Sequence, residues 1–110
     1  MIRVSPRSSL EVQVSLEKTG STITVAGEID IATADKVLQH ATPVLNAGSG
    51  ADVVVDLAGV TFCDSAGLNA LIQLKKLFAG LGGNFRIINS PMHLRRVLEL
   101  SGLSEYLNVE

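Results

Sequence analysis

One segment limits the folds open to this chain more than any other: Val53-Val54-Val55-Asp56-Leu57, a near-continuous apolar run bounded by glycine-containing stretches. It is too short for a free-standing helix and reads as a central strand covered on both faces. A strand of that kind needs neighbours on either side and helices packed over it. The rest of the chain supplies both.

Val12, Val14 and Leu16 alternate with Gln13, Ser15 and Glu17, and after Thr19-Gly20-Ser21 the alternation resumes at Ile23 and Val25. This predicts a hairpin of about 11–17 with 22–28. A helix follows over about 34–46, with Thr33 as N-cap, Asp35 in its first turn and Val37, Leu38, Ala41 and Leu45 on one face. Pro43 falls inside it and should kink or shorten it. Residues 47–50 read as a loop, and Ala58-Gly59-Val60 as a connection out of the central strand.

The period changes again after Ser65. Leu68, Leu71, Ile72, Leu74, Phe78 and Leu81 form a broad apolar face opposite Gln73, Lys75 and Lys76, and Gly82-Gly83 ends the helix. Phe85 to Asn89 predicts a short strand. Ser90 as N-cap and Pro91 at the first position start another helix, its inner face carrying Leu94, Val97, Leu98 and Met92, and Gly102 closes it. Residues 103–109 read as a final short strand or turn. Alternation of strands and helices after a hairpin gives an α/β fold, a mixed sheet with helices packed against it.

At 110 residues the chain fits one domain over 10–110, with residues 1–9 a polar, loose leader. Aromatic residues are 4% against 46% hydrophobic, so the core is aliphatic. A net charge of −2 without a cluster of Lys and Arg argues against nucleic acid or an anionic membrane as partner. One cysteine, no apolar h-region at the start and no apolar run of membrane-spanning length lead to the expectation of a cytoplasmic protein, and the lack of a long exposed apolar edge favours a monomer when free. Cys63 itself reads as a small buried hydrophobe.

Catalytic constellations are thin. A serine nucleophile needs a histidine base, and only His40 and His93 exist, each on a predicted helix outside any motif. Asp-Ser-Ala-Gly lacks the first glycine of the nucleophile elbow. Metal-ligand spacing is missing, and Gly80, Gly82 and Gly83 follow a helix instead of opening one around a phosphate. The expectation is a protein without catalytic activity, cofactor or metal.

What remains is Thr61-Phe62-Cys63-Asp64-Ser65-Ala66-Gly67-Leu68, which places one serine beside an acid where a strand gives way to a helix. Asp64 or Ser65 can serve there simply as the cap. The positive end of the helix dipole also suits a serine that will carry a phosphate. Ala66 and Gly67, nearly bare of side chain, leave that serine open to another protein's active site. Both readings stand on the residues alone.

At these residues the chain resembles the anti-sigma factor antagonist family, small bacterial regulators built on the STAS domain. Gly27-Glu28-Ile29-Asp30 and Phe62-Cys63-Asp64-Ser65-Ala66-Gly67-Leu68 carry the likeness, which spans about residues 10–109. It implies a STAS-type mixed sheet of four to five strands with interspersed helices. It also implies binding to an anti-sigma factor, a serine kinase of the histidine-kinase-like ATPase type, so that the sigma factor is freed. Phosphorylation of the serine matching Ser65 would break that complex, and a metal-dependent serine phosphatase would restore it. The partner-binding surface so implied holds Asp30, Thr33, Asp64, Ala66, Gly67 and Leu68. Ala66 stands where many members have a second serine, leaving Ser65 as the acceptor, and Pro43 departs from the pattern beside Asp30. The alternative is a STAS subunit of another assembly, such as a stress-signalling complex or a lipid-transport ATPase.

Overall fold

A computed structural model describes residues 10–46 and 52–110; the expected leader over 1–9 and the expected loop over 47–50 lie outside the described residues. Strand β1 (Leu10–Leu16) pairs antiparallel with β2 (Gly20–Ile29), setting Val12 opposite Val25 and Val14 opposite Ile23. The turn between them is closed by reciprocal bonds, Glu17 N–H to Gly20 O at 2.9 Å and Gly20 N–H to Glu17 O at 3.3 Å. Helices α1 (Ala34–His40) and α2 (Thr42–Asn46) carry the chain across to β3 (Asp52–Cys63), parallel to β2. Helix α3 (Ser65–Ala79) then leads to β4 (Phe85–Ile88), parallel to β3, and α4 (Met92–Leu100) and α5 (Leu103–Tyr106) follow. The sheet order is β1-β2-β3-β4, the four-stranded form of the expected α/β mixed sheet.

Pro43 acts as its chemistry dictates. The expected helix over 34–46 is two helices meeting at Ala41, with the proline in the first turn of the second, where its missing N–H costs nothing.

The core forms on one face of the sheet. Ile23, Val25, Val53, Val55, Leu57, Phe85 and Ile87 point into a single cluster with Val37, Leu71, Leu74, Phe78, Leu94, Leu98 and Leu107 from the helices. The residues between them, Thr22, Thr24, Val54, Asp56 and Ile88, are only half-buried. The molecule's shortest dimension is 19 Å, room for the sheet and one layer of helices. This corrects the expectation that the central strand is covered on both faces. Its physical reason is Asp56, whose carboxylate accepts from Ala58 N–H at 3.0 Å and from the Asn89 side chain at 3.3 Å and needs an open face.

Further differences follow from pairing that a local pattern cannot show. Strand β3 does not stop at Leu57 but continues through the expected connection to Cys63, held by β2 across two register shifts. Gly59 permits this: a Cβ there would sit 2.8 Å from that of Ala26. Pro91, not Ser90, occupies the N-cap of α4 with an extended backbone, and the buried Ser90 Oγ finds no partner among the described residues. Residues 103–106 are helical, not a strand, and only Val109 makes a lone bridge to Ile87. Lys75, expected on a solvated face, is half-buried with Nζ 5.7 Å from the Phe85 ring centroid and 5.8 Å from that of Tyr106. Met92 and Val97, expected inside, are exposed.

Candidate functional site

The last pairs of the β2–β3 ladder are Glu28 with Phe62 and Ile29 with Cys63, so both strands end side by side at one edge of the sheet. Because β2 and β3 are parallel, the turns that follow them, Asp30-Ile31-Ala32-Thr33 and Asp64-Ser65, are neighbours. Asp64 N–H donates to Ile29 O at 3.2 Å and ties one turn to the other.

Asp64 is extended (φ −97°, ψ −168°) and is the N-cap of α3, its Oδ1 accepting from Gly67 N–H at 3.0 Å. The cap role left open between two residues therefore belongs to the acid. Ser65 is the first helical residue, exposed, and takes no part in the cap. Ser65 opens the first turn of a fifteen-residue helix, where N–H groups without intrahelical partners and the dipole favour negative charge.

Gly67 is buried, which corrects the view of it as an open stretch beside the serine. A Cβ at Gly67 would fall 2.5 Å from Ile29 O and 2.6 Å from Cys63 Sγ, closer than real contacts allow. Only glycine lets the first turn of α3 lie this tightly on the end of β2. Its place in the site is to set the spacing between the two turns.

Thr33 is likewise buried, at 6% exposure, and holds the expected N-cap position of α1 but makes no side-chain cap bond. Its hydroxyl donates to Glu28 O at 2.8 Å and accepts from Asp30 N–H at 2.9 Å. Asp30 Oδ1 in turn accepts from Ala32 N–H at 3.0 Å and Thr33 N–H at 3.1 Å. The competition between capping and turn formation is won by the turn, which holds Asp30 half-exposed at the rim. Of the expected surface residues, Asp30, Asp64, Ala66 and Leu68 keep some exposure, whereas Thr33 and Gly67 lie beneath them.

A shallow depression of about 240 Å³ lies between α1 and α3 against this rim, lined among others by Ile31, Ala34, Leu38, Ala66, Asn69 and Gln73. Ile31, 85% exposed at its lip, escaped the sequence reading, although an isoleucine between Asp30 and Ala32 falls out of step with both flanking elements. A larger depression of about 660 Å³ sits at the opposite edge of the sheet, by Asp52, Asn84 and Glu110, away from Ser65.

Among the described residues, neither His40 nor Asp64 is hydrogen-bonded to the Ser65 hydroxyl. His40 Nδ1 lies 2.8 Å from the Lys36 carbonyl, and the Asp64 carboxylate is engaged by the cap. Half-buried Cys63 has its thiol pushed up to about 11, first by burial and then by the neighbouring charge of Asp64, so it stays protonated. Among the described residues no three His, Cys, Asp or Glu side chains converge to hold a metal, and no helix is long and apolar enough to cross a membrane. The arrangement presents one accessible hydroxyl in an acid-flanked turn beside a shallow groove of mixed polar and apolar lining, with Asp35, Asn69 and Gln73 among its walls.

Comparison with known proteins gives that turn a context. Residues 12–109 match the family model described as Mlab, STAS domain. The anti-sigma-B factor antagonist of Bacillus subtilis is 27% identical over 101 residues, covering 92% of this chain and 91% of that protein. The anti-sigma F factor antagonist of Paenibacillus polymyxa is 25% identical over 103 residues, covering 92% and 86%. Among solved structures, an anti-sigma factor antagonist from Mycobacterium paratuberculosis superposes with a TM-score of 0.80 at 28% identity, covering 96% of this chain and 87% of that one. The unphosphorylated form of SpoIIAA, at 17% identity and a TM-score of 0.73 over 91% and 88% of the two chains, shares the fold.

Proposed function

This chain belongs to the STAS domain family, and from that premise we propose that it is an anti-sigma factor antagonist controlled by reversible phosphorylation of Ser65. In this reading the protein acts in the cytoplasm without catalytic activity. It binds an anti-sigma factor that is itself a serine kinase, frees the sigma factor, and is released when the kinase modifies Ser65. A metal-dependent serine phosphatase returns it to the binding form.

The observation that carries the proposal is the division of labour at the start of α3. Asp64 caps the helix, so the exposed Ser65 hydroxyl is held in place yet left free. Phosphorylation adds about −1.5 to −2 charge. Within the domain the helix terminus offsets this by about 0.3–1 kcal/mol while Asp64 opposes it, so the fold survives. At an interface the same charge is desolvated beside Asp64, at a cost of several kcal/mol if unpaired. Shifting a complex from about 99% to about 1% bound takes about 5.5 kcal/mol, which one buried phosphate can supply without a change of shape.

Incubation with the cognate kinase and Mg-ATP, followed by mass spectrometry, should place phosphate on Ser65 alone. Ser65→Ala should still bind the kinase and resist release. Phosphate at another residue, or a complex undiminished by phosphorylation, refutes the proposal. The match to a STAS domain model is equally met by a second reading, a STAS subunit of another assembly, such as a stress-signalling complex or a lipid-transport ATPase. Co-purification separates the two, since each requires a different ATPase partner.

A further inference from the structure

We propose that the outward face of α4 is a second docking surface, separate from the Ser65 turn, which receives an acidic amphipathic helix of a partner protein. Helix α4 buries Leu94 and Leu98 and leaves Met92 70%, Val97 41% and Leu100 83% exposed. These three lie along one side of the helix with Arg96 and line a common depression of about 580 Å³. Single exposed apolar residues are ordinary on protein surfaces, whereas a contiguous set rimmed by charge marks an interface. None of these residues lines the groove beside Ser65.

Charge defines the occupant. The chain is net −2, yet the depression on α4 is lined by Arg96 and His93 beside its apolar residues and by neither Glu99 nor any other acid, with Arg95 and Glu99 falling outside it. A basic, apolar strip on an acidic protein complements a helix that presents leucine-like side chains bordered by carboxylates, docked by its apolar face. A second copy of this chain fits poorly. Antiparallel pairing of two α4 helices that sets Met92 against Leu100 also sets Arg96 against Arg96 at the centre. A membrane fits poorly too: nine residues span about 13 Å, offer three apolar side chains, and supply neither a lipid anchor nor a polybasic cluster.

The test is a titration of ¹⁵N-labelled protein with a synthetic helical peptide of about four turns carrying Leu along one face and Glu along both borders. A matched peptide with Lys in place of Glu is the control. The expected result is saturable shifts centred on α4, at least tenfold weaker with the Lys peptide and with either Leu100→Glu or Arg96→Glu, and unchanged with Ser65→Asp. Because Leu100 and Arg96 are exposed, both variants should fold, and circular dichroism checks this; Leu100→Ser replaces any that does not. Absence of saturable binding, equal affinity for the two peptides, or shifts centred elsewhere overturns the proposal. Vesicles of phosphatidylglycerol bound in preference to the peptide, or a dimer lost on Leu100→Glu, also overturns it by giving the surface to lipid or to a second copy. Since Ser65→Asp is included as a neutral variant, failure here leaves the Ser65 reading untouched.

Discussion

Gly67→Ala sets two well-measured effects against each other. In a free helix this change is stabilising by about 1 kcal/mol, because glycine is the poorer helix former. Here the new Cβ would lie 2.5 Å from Ile29 O and 2.6 Å from Cys63 Sγ. A thiol can rotate away, but a backbone carbonyl in a paired strand cannot. Relief requires α3 to move off β2, a form of overpacking that costs about 1–3 kcal/mol. The same carbonyl accepts from Asp64 N–H at 3.2 Å, and loss of that bond adds about 1 kcal/mol. The sum is a net destabilisation of about 1–3 kcal/mol, or roughly 4–8 °C in Tm per kcal/mol for a domain near this size. Urea unfolding followed by circular dichroism should show a lower midpoint at unchanged slope. A variant more stable than the parent would mean that helix propensity wins, and would refute the assignment of Gly67 as a spacer.

Three other outcomes are expected. Asp64→Ala should cost about 0.5–2 kcal/mol while Ser65→Ala stays within about 0.5 kcal/mol, and reversal of that order in urea melts would return the cap to the serine. Thr33→Val should lose about 1–3 kcal/mol, because it strands the Glu28 carbonyl and the Asp30 N–H that the hydroxyl now satisfies; a neutral result would show the turn stands without it. For Cys63, with its thiol raised from 9.0 to about 11, the unfolded chain gives up the proton first. Its stabilising contribution is therefore complete below pH 9 and is lost as pH rises towards 11. Alkylation of the native protein should be slow at pH 8 and accelerate only near pH 11, and rapid labelling at pH 8 would contradict the burial.

The period-2 and period-3.6 patterns made the hairpin, the split near Pro43 and the α3–β4 crossover legible, because those elements are decided by local apolar spacing. What stayed hidden depends on contacts distant in sequence. The extension of β3 to Cys63 exists only because β2 continues beside it, and nothing in Ala58-Gly59-Val60 announces that. Gly67 was legible only as a residue nearly bare of side chain beside the serine, whereas its reason is the Ile29 carbonyl nearly forty positions upstream. Thr33 stands at the N-cap position that its residue type announces, yet its hydroxyl braces the preceding turn, since the Glu28 carbonyl takes it. Asp56 was the overlooked signal: a carboxylate in an apolar run announces that one side of the sheet faces water.

The bond from Asp64 N–H to Ile29 O has a consequence for when this site exists at all. It joins residues 35 positions apart in sequence, and it forms only once β2 and β3 have zipped to their ends. The rim of Asp30, Asp64 and Ser65 is thus absent from the unfolded ensemble and from any intermediate in which that ladder is short. Any partner that recognises this rim, as the proposed function requires, would therefore engage native molecules alone.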